Sequence, residues 1–241
     1  MLAWVFLWSQ RSQERRGRAP LLPTDLWRDK AFRVGLLLYL ILFSGVVAFY
    51  VYYYILLETG YEVAPWRAGL TTISAGVGTI LTSVVSVNLV RRWGGRRTVA
   101  VGTLVSGLGF FSMLIPVVAV RSPAAASWNI PPQVLAGAGL GLLLAPLLSV
   151  VLAGIRSAEV GAAVGLLTTA QTIGGAIGVG VTGLLFQIPL RGAIGTATAG
   201  QLATGMSFSL LYNPIVFALS LVIIMRLPKQ KMPGERAPAH A

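Results

Sequence analysis

Residues 32–57 read FRVGLLLYLILFSGVVAFYVYYYILL, a run in which Arg33 is the only charged side chain. A helix crossing the hydrocarbon of a bilayer needs about 20 consecutive, mostly apolar residues, and this run meets that requirement. Strands of a membrane barrel are shorter and alternate in polarity, and this run does neither. Five more runs of the same character follow, near Trp66–Val90, Thr98–Val120, Pro132–Ile155, Val160–Phe186 and Gly205–Met225. The expected architecture is an all-α integral membrane protein with six transmembrane helices.

Composition points the same way. Of 241 residues, 55% are hydrophobic and 11% charged, and the mean hydropathy is +0.76. A soluble domain carries about a quarter charged residues, and a disordered chain has far less apolar surface. The seven acids are Glu14, Asp25, Asp29, Glu58, Glu62, Glu159 and Glu235, and all lie outside the six runs. With no Cys there is no disulfide or thiolate metal site, and the single His, His240, is the second-last residue. No Ser/His/Asp set, metal-ligand cluster or nucleotide-binding G-x-x-x-x-G-K-[ST] loop occurs. Neither a cofactor, a metal site nor an enzymatic activity is expected.

The net charge of +12 would suggest nucleic acid on a soluble protein. Here the basic residues lie between apolar runs, so no nucleic-acid partner is expected and the charge reports topology. Of the 19 Lys and Arg residues, all but Arg67, Arg121 and Arg191 fall on one side of the six runs. By the positive-inside rule that side is cytoplasmic. The expectation is a multi-pass cell-membrane protein with both termini in the cytoplasm.

The organisation divides into three parts. Residues 1–31 combine an apolar stretch, Met1–Trp8, with a basic cytoplasmic linker. We read that stretch as the inner end of a truncated helix, with an interfacial anchor as the alternative. Residues 32–226 form the six-helix bundle, and residues 227–241 form a disordered cytoplasmic tail. Between the fifth and sixth runs, Gln187–Thr204 reads as a long, mobile, Gly/Ala/Thr-rich loop.

The most specific local motif is Arg91-Arg92-Trp93-Gly94-Gly95-Arg96-Arg97, between the second and third runs. Its glycines permit a sharp reversal, and its guanidinium groups suit helix C-termini, acids or anionic headgroups. The motif resembles the cytoplasmic-loop signature G-x-L-x-D-R-x-G-R-[RK] of major facilitator superfamily transporters. Arg92, Gly94, Arg96 and Arg97 take the matching positions, while Val87 replaces the first glycine and Arg91 the aspartate. Such degeneracy is a feature of second-half copies.

The resemblance extends along the chain. Ala19-Pro20-Leu21-Leu22-Pro23 and Leu26-Trp27-Arg28-Asp29-Lys30-Ala31-Phe32 are similar to the linker before the last six helices of fourteen-helix drug:proton antiporters. Ala68-Gly69-Leu70 and Thr168-Thr169-Ala170-Gln171-Thr172-Ile173-Gly174-Gly175-Ala176-Ile177-Gly178-Val179 also look like that multidrug efflux branch. This implies one six-helix repeat, the carboxyl-terminal half of such a transporter. The implied activity is secondary active efflux of small hydrophobic or cationic compounds by alternating access, coupled to protons. Coupling acids would lie in a missing amino-terminal half, and that half or a second copy would complete the carrier. The alternative is a non-transporting fragment, or a helical assembly or regulatory partner.

Two further patterns stand on their own residues. Gly161/Gly165 and Gly174/Gly178 are G-x-x-x-G pairs on the fifth run, joined by Gly175, and small residues at this spacing allow close helix packing. The densely glycine-lined fifth run is the best surface to rock against a partner half, while Gly137, Gly139, Gly141 and Pro146 make the fourth run similarly small. On the first run, Tyr39, Phe43, Tyr50 and Tyr54 share one arc of about 60°. The first three are candidate substrate-lining residues through stacking and cation–π contacts, and an interfacial aromatic belt explains the same tyrosines. Gln171, the most polar mid-run side chain, is a fourth candidate, with interhelical hydrogen bonding as its other reading.

Overall fold

The computed structural model describes residues 24–120, 122–190 and 197–226. The expected helix remnant Met1–Trp8, most of the linker and the tail lie outside the described residues. The described chain folds into nine α-helices: α1 (Lys30–Ile55), α2 (Pro65–Trp93), α3 (Gly95–Ser112), α4 (Leu114–Ala119), α5 (Ala125–Trp128), α6 (Ile130–Leu152), α7 (Val160–Gln187), α8 (Ala199–Leu210) and α9 (Tyr212–Ile224). They assemble into six membrane-length spans, Lys30–Gly60, Pro65–Trp93, Gly95–Ala119, Ala125–Leu152, Ser157–Gln187 and Ala199–Ile224. The fold is the six-helix membrane architecture expected from the apolar runs.

Local chemistry sets the ends of these helices. The Asp29 carboxylate caps α1 by accepting the Phe32 N–H at 3.0 Å. α1 then runs on through one wide turn, Leu56–Gly60, which carries the exposed Glu58 onto the end of the first span. Pro65 opens α2, where its missing N–H costs nothing. Gly94, with φ +82°, is the single residue separating α2 from α3. Two spans are broken by proline. Pro116 lies just past the α3/α4 junction and Pro214 just past the α8/α9 junction, and each lacks the N–H that would bond four residues back.

The sixth helix starts at Ala199, six residues before the expected Gly205. The cause is a reciprocal cap: the Thr198 N–H donates to Gln201 Oε1 at 2.9 Å, and the Gln201 N–H donates to Thr198 Oγ1 at 3.4 Å. The end of the expected Gln187–Thr204 loop is thus helical, and its residues 191–196 lie outside the described residues.

Packing divides the bundle into two tight groups. α6 wedges between α2 and α3, and α1 pairs with α7, while α9 lies against both α3 and α1. Lipid tails remove the hydrophobic incentive for helix association, so close approach and interhelical hydrogen bonds must supply it. On α6, Gly137 and Gly141 meet the α2 backbone at Ala75 and Thr79, and Gly139 meets Ser106 of α3. Hydroxyls close these seams. Thr79 donates to the Gly137 carbonyl at 2.9 Å, Thr82 to the Ala138 carbonyl at 2.7 Å and Ser106 to the Ala136 carbonyl at 3.1 Å. An aromatic stack, Tyr53–Phe49–Phe110–Phe217, fills the middle with ring centroids 5.0–5.5 Å apart. The outermost spans are the second and fifth, with 17% and 28% of their apolar windows buried against 39–50% for the others.

Candidate functional site

The seam between α1 and α7 carries the candidate site. Gly174 abuts the Leu40 backbone and Gly178 the Ser44 backbone, which draws the two helices together along their middle. The Tyr52 hydroxyl donates to the Val179 carbonyl at 2.9 Å and locks the register. On one side of this seam lies an open groove of about 580 Å³, lined by Val47, Gln171, Thr172, Gly175, Ala176 and Val179. It is mostly apolar, with one amide and one hydroxyl. The Thr172 hydroxyl already donates to the Thr168 carbonyl at 3.0 Å, which leaves the half-buried Gln171 amide as the groove's principal polar handle.

None of the aromatic candidates lines this groove, and Val47 is the one residue of α1 that does. At 100° per residue Val47 lies about 20° beyond the Tyr54 edge of that arc, so the stripe faces beside the groove and not into it. Tyr39 is 8% exposed and stacks on the half-buried Phe43, with ring centroids 5.7 Å apart. Tyr50 sits edge-on to Phe49 and Phe110, and the Tyr54 hydroxyl bonds Thr72 of α2 at 2.6 Å. The outer half of the stripe thus ties α1 to α2 and α3, while Tyr39 and Phe43 remain nearer the basic end.

The glycines on α7 separate by environment. Gly174 and Gly178 are pressed against α1, and Gly175 lies 3.2 Å from the Val47 side chain when a Cβ is added to it. Around Gly161 and Gly165 nothing in the described chain comes within 4 Å of such a Cβ. The expected close packing therefore does not extend to that pair within the chain, because at 100° per residue Gly161 and Gly165 lie on the side of α7 opposite Gly174 and Gly178, while the neighbouring Ala163 and Leu167 are buried.

At the α2–α3 turn, Arg91, Arg92 and Arg97 are exposed, Arg96 is half-buried, and Gly95 tucks beneath Val150. Arg91 and Arg92 sit in the last turn of α2, where the helix dipole favours cations. Arg96 and Arg97 open α3, where the dipole disfavours them. Among the described residues no acid pairs with either.

The sequence reading missed a buried polar cluster at the opposite end of the bundle. The Gln133 Nε2–H donates to the Tyr53 hydroxyl at 3.3 Å, with Thr71 and Asn129 facing the same oxygen. Tyr53, Asn129 and Gln133 are all fully buried. Both amide atoms of Asn129 and Oε1 of Gln133 lack a hydrogen-bond partner among the described residues. The detectable signal was the four-residue spacing of Asn129 and Gln133, which places two amides on one face at the head of an apolar run.

Among the described residues no group of three or more His, Asp or Glu gathers to hold a metal. Asp29 caps α1, and Glu159 lies 3.9 Å from Arg156 at the head of α7. The groove presents a mostly apolar surface with a single amide.

Six apolar spans joined by glycine and hydroxyl seams, with an open groove along one of them, define a multi-pass membrane protein. A sequence profile of the Major Facilitator Superfamily matches residues 1–179, and the chain belongs to that superfamily, one of transporters rather than enzymes. It is 31% identical over 194 residues to the "Probable actinorhodin transporter" of Streptomyces coelicolor, covering 80% of this chain and 33% of that protein. It is 26% identical over 218 residues to the "Quinolone resistance protein NorB" of Staphylococcus aureus, covering 90% of this chain and 45% of that one. Similarity to the "Puromycin resistance protein pur8" of Streptomyces alboniger is 29% over 171 residues, covering 69% and 33%. The chain spans a third to just under a half of the length of these curated relatives.

Proposed function

We propose that the chain acts as the carboxyl-terminal half of a fourteen-helix efflux antiporter that exports small hydrophobic or cationic compounds in exchange for protons. The carrying observation is the α1–α7 groove, where Gln171 and Val47 form one wall of a cavity that is open on its other side. A second six-helix bundle would close it. The exposed second and fifth spans favour this arrangement, because they present Gly69 and Gly76 on α2 and Gly161 and Gly165 on α7 with open space before them. Small residues on an outward face admit another helix at close range. Drug-resistance names among the relatives support the substrate class. The basic end would face the cytoplasm, with Arg96 and Arg97 pairing across to the partner half, and rocking of the two bundles would expose the groove alternately. A proton-coupling carboxylate would come from the amino-terminal half.

The test is complementation in drug-sensitive cells, measuring ethidium efflux with this chain alone, with the amino-terminal half of a related transporter alone, and with both. Efflux restored only by the pair supports the reading. No efflux in any combination, with both halves present in the membrane, would overturn it. The competing reading, a non-transporting fragment or assembly partner, draws on one specific fact: the described spans place no carboxylate beside the groove.

A further inference from the structure

A second groove lies on the same α1–α7 pair, at its basic end. It encloses about 320 Å³ between Leu36, Leu37 and Leu40 of α1 and Ala170 and Ile173 of α7, with Trp27 and Arg33 at its mouth. The helix contact line on α7 runs through Ala170, Gly174 and Gly178. At 100° per residue, Thr169 and Ile173 project to one side of that line, and Gln171, Thr172 and Gly175 project to the other. The two grooves therefore open on opposite sides of the pair, and whatever fills this one does not compete for the Gln171 side.

We propose that this groove seats one acyl chain of an anionic phospholipid, with Arg33 and Lys30 receiving the headgroup phosphate. Its walls are hydrocarbon, and the Thr169 hydroxyl at its edge is already bonded to the Gly165 carbonyl at 2.9 Å. No hydrogen-bonding group is left in the walls to recognise a polar solute, so only an apolar chain fits. The mouth is of the opposite character. Arg33 lines it and Lys30 precedes Arg33 by three residues on α1; both are exposed, and neither has an acidic partner among the described residues. Asp29, the nearest acid along the chain, is engaged in capping the Phe32 N–H. Trp27 is 47% exposed beside the mouth, as suits an indole at headgroup level. A narrow apolar slot, two unpaired cations and an interfacial tryptophan together match a phosphate-bearing lipid with negative net charge, and basic pockets between helices at such a depth are sites for anionic headgroups. This inference does not depend on transport, so its failure and that of the proposed function are separable.

The experiment is native mass spectrometry of the full chain in mild detergent, titrated with dioleoyl phosphatidylglycerol or dioleoyl phosphatidylcholine, which share acyl chains and differ in headgroup charge. The expected result is one phosphatidylglycerol retained through collisional activation in preference to phosphatidylcholine. Lys30→Gln with Arg33→Gln should weaken that adduct about 25-fold, since each interfacial cation supplies about a factor of five toward an anionic lipid. Arg91→Gln with Arg92→Gln, on the distant turn, should leave it in place. Ile173→Trp should fill the slot and displace the lipid with both cations intact. Equal retention of the two lipids, or a phosphatidylglycerol preference that survives in the Lys30/Arg33 variant, would overturn the proposal. So would a dimer mass that disappears in Ile173→Trp, because a second chain would then be the occupant. The Lys30 and Arg33 changes are at exposed positions, so the charge test stands even where the tryptophan variant fails to fold.

Discussion

A methyl group added at Gly178 would drive into the Ser44 backbone, whereas one added at Gly165 would meet nothing within 4 Å. Gly178→Val should therefore separate α1 from α7 and cost about 2–3 kcal/mol, the usual range for overpacking. Gly165→Val should leave the melting temperature of the isolated chain unchanged. Intrinsic tryptophan fluorescence during a thermal ramp in detergent distinguishes the two, and equal losses would mean that the helix contacts are misplaced. The Tyr53–Gln133 pair allows a second test at this scale. Gln133→Leu removes the donor to a buried hydroxyl, and the expected penalty is about 1 kcal/mol. Adding Tyr53→Phe should recover most of it, because the orphaned oxygen is then gone. A double variant no more stable than the single would show that the two side chains are energetically independent.

At the scale of elements, Gly94 alone joins the second span to the third, the tightest of the connections between described spans. The absence of native cysteine permits single-cysteine mapping of which end faces the cytoplasm. Gly95 is a poor probe because it is covered by Val150, so the exposed Arg97 takes its place. An Arg97→Cys variant should be protected from an impermeant maleimide applied to intact cells, and Ser127→Cys, at the other end, should react. Reaction at Arg97 would invert the proposed orientation. Element ends also mark where the chain was readable and where it was not. The Asp29 cap and Pro65 start follow ordinary rules, and the Thr198-x-x-Gln201 signature was in plain view, yet the small, polar residues around it read as a loop. The breaks at Pro116 and Pro214 lie inside apolar runs, where composition alone continues the helix.

For the molecule as a whole, the question is whether the α1–α7 groove handles solute once a second bundle covers it. With a complementary half present, Gln171→Leu should change the efflux rate of at least one polar-group-bearing substrate about tenfold. That is the worth of one hydrogen bond lost from an apolar site. Expression and a purely aliphatic cation should be little affected. Identical profiles for all substrates would reduce Gln171 to a packing residue. Part of this site was legible, since Gln171 stood out as an amide within an apolar run. That Val47 faces it, and that the aromatic stripe on the same helix does not, could be read only from the pairing of α1 with α7. The Tyr53–Asn129–Gln133 cluster escaped notice because its members lie on spans 80 residues apart and each, taken singly, resembles an interfacial polar residue.

The amino-acid sequence by itself determined that this is a six-span helical membrane protein, and where each span lies to within about seven residues at its ends. The physical reason is that the bilayer offers backbone groups no partner but their own helix, so a long apolar run has a single outcome. Only the tertiary structure decided which faces of those helices meet. In lipid, every face of an apolar helix is about equally well solvated, so hydrophobicity sets no register, and close approach at particular glycines and hydroxyls chooses it instead. For that reason Gly174 and Gly178 lie against α1, while Gly161 and Gly165, with the same spacing on the same helix, face outward.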